Sequence, residues 1–478
     1  MSLATRGALT GLILAAAVLP ACPRNGPTAG PVEPSSPRAQ AFLDTLEQRT
    51  FAFFWERTDP ATGLTPDRWP TPSFSSIAAV GFALTAYPIG AERGYVTRAA
   101  AADRVLTTLR FFYGLPQGAA PSGTGGNEGF FYHFLDMADG HRFGTVELST
   151  VDTAILLAGA LFCQQYFDGA DATEAAIRAY ADSLYRRANW RWFQPRAPLV
   201  GLAWKPEDGF STYDWRGYSE GSIIYVLALG SPTAAIDSTA WDAWTATYQW
   251  GRFHGYEHVG FAPLFGHQYS HVWIDFRGIR DAYMRGRGID YFENSRRATY
   301  AQRAYAIANP DGWTGFGPET WGLSASDGPA DVVQLVRGAS RRFFTYAARG
   351  ASFTEVRDDG TVTPTAAGGS IPFAPEIAIP ALVAMRERQG TWLFGTYGFF
   401  DAFNPTWQWP STPLRHGRYV AGQGWFDTDY LGIDQGPILA MIANHRADIV
   451  WRYMRRSPYI VRGLRRAGFS GGWLDQAP

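Results

Sequence analysis

Acidic and aromatic residues recur where a glycine- or proline-rich loop runs into a helix-patterned stretch. That recurrence limits the chain to architectures that bring helix entrances together. Apolar residues at three- and four-residue spacing, such as Phe42, Leu46, Phe53 and Phe54, mark a helix over 39–55. Similar patterns follow over 73–88, 95–113, 145–167, 171–190, 280–308 and 375–388, and a helix is expected from Ile438 to Met454. About ten to twelve helices alternate with long loops, and strand signals are sparse. Strand and helix do not alternate as in a doubly wound sheet, and no strict repeat marks a solenoid. If successive helix pairs wrap into a ring, alternate loops converge on one face and their acidic residues line a common cleft. No interior linker divides the chain, so residues 41–478 read as one large domain.

One loop presents a carboxylate in a setting that suits acid chemistry: Trp215-Arg-Gly-Tyr218-Ser219-Glu220-Gly-Ser222, followed by the apolar run Ile223 to Leu229. Ser219 is placed to cap a helix, with Glu220 in its first turn, where the macrodipole favours an anion. A helix-start glutamate and a sugar-cleaving acid are both open on spacing alone. The second needs burial beside Trp215 and Tyr218 to keep the proton on. Ser149-x-x-Asp152 matches a capping box, which gives Asp152 a local role, whereas Glu147 just before it has none. The loop 115–144 holds His133 and Asp136, and 191–217 holds Trp204, Lys205, Asp208 and Trp215. The segment 309–329, with Trp313, Glu319, Trp321 and Asp327, is too long and aromatic for a linker and reads as a binding loop. Trp425 and Asp427 precede Asp434 and Gln435 at another helix entrance, and a hairpin is expected within 341–365 around Asp359-Gly360.

A formal net charge of −1 with 18% charged residues excludes the electrostatic footprint of a nucleic-acid binder. Aromatic residues are 15% of the chain, with 18 Trp, and many lie in loops, where ring faces suit the apolar faces of sugars. Lys205 is the only lysine among 42 Lys and Arg residues, which reads as coding bias. His254-Gly-Tyr-Glu257-His258 spells a zinc-peptidase pattern, with His267 and His271 nearby. Gly255, Gly260 and Pro263 interrupt any helix that would align these ligands, so no metal site and no cofactor are expected, and the histidines, His271 included, read as polar lining of a cleft. At the N-terminus, Arg6, an apolar run from Ala8 to Val18 and Leu19-Pro20-Ala21-Cys22 resemble a bacterial lipoprotein signal over 1–22, with Cys22 the lipidated residue. Residues 23–40 then read as a Pro/Gly/Ser-rich tether. This implies a periplasmic or outer-membrane-anchored lipoprotein that meets the membrane only through its anchor, or a secreted protein if Cys22 is not lipidated. Cys163, on an apolar helix face, is expected as a packed thiol.

Six stretches in order resemble one family: Glu147-Leu-Ser-Thr-Val-Asp152-Thr; Tyr218-Ser-Glu220-Gly; His267-x-x-Ser270-His271-x-Trp273-Ile-Asp275-Phe-Arg277; Gly317-Pro-Glu319-Thr-Trp321-Gly-Leu-Ser-Ala-Ser-Asp327-Gly-Pro; Ile371-Pro-Phe-Ala-Pro-Glu376; and Gly432-Ile-Asp434-Gln435-Gly-Pro. They are similar to the bacterial glycoamylase-like family, the group containing endo-β-1,2-glucanases of glycoside hydrolase family 144, over roughly Phe42 to the C-terminus. The resemblance implies an all-α (α/α)6 barrel and inverting hydrolysis of β-1,2-glucan to sophoro-oligosaccharides by a monomer. Inversion needs an acid and a water-activating carboxylate about 6.5–9.5 Å apart. Glu220 matches the acid; Asp434 is the first choice of base, with Asp152 and Glu147 as alternatives. Asp136, Trp215, Glu319, Trp321, Asp327, Glu376 and Gln435 are implied to hold the glucose units of a neutral glucan. Tyr218, His271, Trp313, Trp425 and Asp427 join them as candidates from their loops. An exo-acting or transferring relative, a polysaccharide lyase and a non-catalytic glycan-binding lipoprotein are the competing expectations.

Overall fold

The structure, a computed structural model, describes residues 32–477. The signal over 1–22, with Cys22, and the tether up to residue 31 lie outside the described residues.

Helices that are apolar on every face must sit inside a protein, and those with one polar face outside. That distinction sorts the chain into two rings. Helix α2 (Ile77–Glu92), α4 (Thr150–Tyr166), α6 (Ser222–Gly230), α7 (Tyr269–Trp273), α9 (Pro364–Gly368) and α11 (Gly432–Ala447) are buried over nearly their whole surface. They follow one another around a closed ring: α2 packs on α4, α4 on α6, α9 on α11, and α11 back on α2. Side-chain bonds carry the ring through α7, where Ser270 Oγ accepts from Ile223 N–H at 3.0 Å and Gln268 Nε2 donates to Ala366 O at 2.8 Å. Around this ring lie α1 (Pro37–Arg57), α3 (Arg98–Gly114), α5 (Ala172–Arg187), α8 (Tyr291–Ala308), α10 (Pro375–Gln389) and α12 (Pro458–Arg466). The result is the expected (α/α)6 barrel. No helix among the described residues is long and apolar enough to cross a membrane.

Two glycines let α2 and α4 approach closely. A Cβ on Gly159 would fall 2.2 Å from the Gly81 carbonyl oxygen, and one on Gly81 2.5 Å from that of Ile155, so α2 and α4 meet backbone to backbone. The expected packed thiol is there too: Cys163 is fully buried and its Sγ donates to Leu84 O at 3.0 Å.

The entrances of the inner helices are laced together by strands too short to leave an alternating pattern in the sequence. Strand β1 (Arg68–Trp69) pairs with β6 (Tyr430–Leu431) just before α11. Strand β2 (Ser75–Ser76), leading into α2, pairs with β3 (Phe134–Leu135), and β4 (Leu148–Ser149), leading into α4, pairs with β5 (Ala203–Lys205). Among the described residues no sheet exceeds three strands.

Several boundaries differ from expectation for identifiable reasons. Helix α1 begins at Pro37, inside the stretch read as tether, because Ser36 caps it and proline suits a first turn. Helix α11 starts at Gly432 and ends at Ala447; Pro437 lies within it, and the Ile433 carbonyl that proline leaves free accepts from the Tyr269 hydroxyl at 3.4 Å. A hairpin does lie within 341–365, pairing Gly350–Ala351 with Val356–Arg357, but it turns over 352–355 rather than at Asp359-Gly360; a second, unexpected hairpin of Val333–Val336 with Ala339–Arg342 turns at Arg337-Gly338 (φ 49° and 83°). Asp359 is buried, and Arg349 grips it through Nε at 2.7 Å and Nη2 at 2.8 Å.

Candidate active site

Two acidic walls stand at the entrance end of the inner ring. The first comes from the loops before α4 and α6. A cavity of about 480 Å³ is lined by His133, Glu147, Asp152, Trp204, Lys205 and Trp215, among others. Ser149 caps α4, and its hydroxyl donates to Asp152 Oδ2 at 2.5 Å, so the expected capping arrangement also orients the carboxylate. Trp215 Nε1 donates to Thr150 Oγ1 at 2.8 Å, which ties the α6 loop to the first turn of α4.

Glu220 stands one residue before the N-cap rather than in the first turn. Gly221 is the cap, the helix proper starts at Ser222, and Ser219 Oγ accepts only from Gly221 N–H at 3.2 Å. The Glu220 carbonyl is held by the Ser270 hydroxyl at 2.6 Å. Glu220 is half-buried, while its Oε2 is sealed from solvent and has no hydrogen-bond partner. Burial pushes the carboxyl up to about 7; its own backbone N–H opposes the rise and the Asp152 charge adds to it. Asp152, not Asp434, is therefore the carboxylate whose field reaches Glu220.

The second wall gathers aspartates from distant loops. Asp327, Asp401 and Asp427 each offer a carboxylate oxygen within 4.8 Å of the others, and all are buried. Arg68 Nη1 lies 2.6 Å from Asp327 Oδ2 and 3.9 Å from Asp429 Oδ2. Asp401 Oδ2 accepts from Asp327 N–H at 2.7 Å, and Asp429 Oδ1 from Thr71 N–H at 2.9 Å. Oxygen-rich trios of this kind can hold a hard divalent cation, but protons can also offset the crowded charge. Burial, then the charge of neighbouring aspartates, pushes Asp401 and Asp427 well above the carboxylate range. As carboxylates, Asp401 and Asp434 each leave one buried oxygen without a donor. A single proton kept on Asp401 and turned toward Asp434 supplies that donor and leaves Asp434 the anion of the pair. Burial still lifts Asp434 to about 7, against the Asp401 hydrogen bond.

Two tyrosines link the walls. Buried Tyr269 feels the charges of Asp434, Glu220 and Asp152. Tyr346, an exposed ring, lies within the fields of Asp401, Asp327 and Asp434 of the second wall.

Comparison with known proteins places the fold in a family. The glycoamylase family model, described as "Putative glucoamylase", matches residues 212–458. The chain belongs to the glycoamylase family. A putative glucoamylase of Bacteroides uniformis shares 30% identity and superposes with a TM-score of 0.76, over 91% of this chain and 98% of that one. An endo-β-1,2-glucanase of Chitinophaga pinensis, solved with sophorotriose and glucose, shares 26% identity at a TM-score of 0.76, over 91% and 99% of the two chains. An exo β-1,2-glucooligosaccharide sophorohydrolase of Parabacteroides distasonis is 27% identical over 89% of this chain; the match spans 58% of the relative's length.

Within this family framework the candidates divide. Glu147, Asp152 and Trp215 line the first wall, with Glu220 beside them, and Asp327, Asp427 and Asp434 form the second. Asp136 lines a neighbouring depression with Arg68, Phe74 and Phe143, though one of its oxygens caps the Ala138 N–H at 2.8 Å. The others need correction. Trp313, Trp321 and Trp425 are at most 2% exposed and pack in apolar clusters, with no ring face left for a sugar. Gln435 is fully buried and its Nε2 donates to Phe399 O at 2.9 Å. Glu319 is spent on an ion pair with Arg388, and Glu376 on Arg296 at 2.6 Å. His271 is sealed among Phe276, Phe292 and Phe373, its Nε2 3.1 Å from Ser295 Oγ, and burial lowers it to about 3. Tyr218 is buried against His267 and Tyr291, so it backs the loop rather than offering a platform. The His254–His258 letters fall on a hairpin of Trp250–Phe253 with Tyr256–Val259, so they share no helix face. Sequence reasoning gave no role at the site to His133, Asp67, Arg68, Asp401, Tyr269 or Tyr346. Asp401 had a signal, an acid directly after Phe399 and Phe400 in a glycine-rich loop.

Proposed function

We propose that this chain is a glycoside hydrolase that cleaves β-1,2-glucan by inversion, with Glu220 as general acid and Asp434 as general base. The observation that carries the reading is Glu220 itself: a carboxyl within reach of the charge of Asp152, which lines the aromatic cavity, with one oxygen sealed and unpartnered, lifted by burial to about 7. Such a group still carries its proton in about half of the molecules at pH 7, where an ordinary glutamate has lost it, and its sealed oxygen has no partner in the free enzyme. Glu220 would deliver that proton to the glycosidic oxygen as the C–O bond breaks. Water would attack the anomeric carbon from the other face and pass a proton to Asp434, whose raised pKa makes it a stronger base than an ordinary aspartate. Glu147 is a poor alternative, since the His133 hydrogen bond holds its carboxyl down at about 2. Asp152 shares a wall with Glu220.

The β-1,2-glucan substrate rests on the family relatives: one endo-glucanase bound to sophorotriose and one exo sophorohydrolase. The Arg6 to Cys22 segment supports action outside the cytoplasm. The test is to incubate the chain with linear and cyclic β-1,2-glucans and resolve products by size and by anomer before mutarotation. The expected products are short sophoro-oligosaccharides with the α anomer at the new reducing end. Release of sophorose alone from chain ends would move the reading to exo action. Unsaturated products, or binding without cleavage, would overturn it.

A further inference from the structure

His133 sits at the join of the two walls, and both of its ring nitrogens face carboxylates. Nδ1 lies 2.9 Å from Glu147 Oε1, and Nε2 lies 3.5 Å from Asp152 Oδ2. A neutral imidazole has one N–H and one lone pair, so either tautomer would turn a lone pair on a carboxylate; only the imidazolium suits both. The ring has little freedom to escape. The backbone N–H of His133 donates to Glu147 O at 2.9 Å, its carbonyl accepts from Ile77 N–H at 3.3 Å, and its ring stacks on Phe134 with centroids 4.0 Å apart. The second wall contributes Asp67, paired with Arg68 at 3.3 Å, and Lys205 stands beyond Glu147. Asp152 is thus held by Ser149 and His133 through Oδ2, which leaves Oδ1 for the cleft beside Glu220.

We propose that His133 is a positioning residue: an imidazolium clamped between Glu147 and Asp152 that keeps the Asp152 carboxylate aimed into the cleft, so that its charge holds the proton on Glu220. This rests on Glu220 being the acid. Burial opposes the charge on the ring, but the fields of Asp152, Glu147 and Asp67 outweigh it and lift His133 to about 9. Without the clamp, Asp152 is free to turn away, and its charge no longer helps keep Glu220 protonated.

Two arms on the full chain test this. Histidine ring resonances followed by NMR across pH, with His133 assigned by its loss in His133→Gln, should show a midpoint near 9, and Glu147→Gln should lower it. A midpoint at or below that of a free histidine overturns the clamp, whatever the activity. In the second arm, His133→Gln should cut kcat on β-1,2-glucan by about 10- to 100-fold with KM within about threefold, and should move the basic limb of the pH profile to lower pH. An unchanged pH profile and kcat would overturn the positioning role. If wild type cleaves no glucan, the functional reading fails while the NMR arm still decides the clamp. If His133→Gln does not fold, Glu147→Gln decides both arms: it should loosen the clamp and shift the same basic limb.

Discussion

Glu147 and Glu220 are two glutamates at one cleft, and their surroundings drive them in opposite directions. Glu147 gains a cation at hydrogen-bond distance and drops to about 2; Glu220 gains burial, no partner and a neighbouring carboxylate, and rises to about 7. Neither is special by residue type. The difference shows that this site sorts its carboxyls by what each can reach: His133 for one, nothing for the other. Asp401 and Asp434 repeat the lesson within the second wall, one keeping the proton and the other receiving its hydrogen bond.

The comparison can be broken most sharply at Glu220. Glu220→Gln should lower kcat by about 10³-fold or more while the fold persists, because an amide keeps the shape and cannot give up a proton. Stability adds a second readout. Because its folded pKa lies above the ordinary 4.5, the Glu220 proton favours the folded state and that advantage fades as pH rises from about 4.5 through 7. Glu220→Gln should therefore raise Tm at pH 8 and leave it unchanged at pH 4, as scanning calorimetry would show. Asp434→Asn should cost about 10²- to 10³-fold in kcat; loss of less than about tenfold would hand the base role to another carboxylate. Arg349→Met probes structure rather than chemistry. It strands the buried Asp359 carboxylate and frees the Asp327 backbone, whose carbonyl Arg349 holds at 3.1 Å, so chemical denaturation should show a loss of about 3–5 kcal/mol. Glu147 has the reverse sign to Glu220: its contribution is present above pH 4.5 and should be lost as pH falls toward 2. Glu319→Gln and Glu376→Gln should have the smallest effects, within about 1 kcal/mol in stability and about twofold in kcat/KM, because both acids serve partly exposed ion pairs.

The helices were legible because their cause is local: apolar spacing marks them, and glycine-rich loops mark where the chain turns. Their closure into a ring depends on contacts between distant helices and was implied only by the family resemblance. Glu220 and Asp434 were legible because each stands at a helix entrance within a family motif. What was hidden depends on contacts between distant segments. Asp67, Asp327 and Asp401 become one acidic wall only when three loops meet, and nothing in the sequence around His133 shows that its ring will lie between Glu147 and Asp152. The tryptophans misled for a related reason. A Trp in an irregular loop looks available for a sugar, yet Trp313, Trp321 and Trp425 are the cores around which those loops fold. Glu319 and Glu376 stand in family motifs too, but arginines on neighbouring helices claim them.

The central claim is that burial, with the Asp152 charge, lifts Glu220 far enough above an ordinary glutamate for its acid form to persist up to about pH 7. The pH dependence of kcat/KM on linear β-1,2-glucan, measured from pH 4 to pH 10 for wild type and Glu220→Gln, tests it directly. The account predicts a wild-type basic limb with a midpoint near 7 and no measurable limb in the variant, whose residual rate is at most about a thousandth of wild type. A wild-type rate that stays flat to pH 10, or a variant that keeps a tenth of the activity, would contradict it.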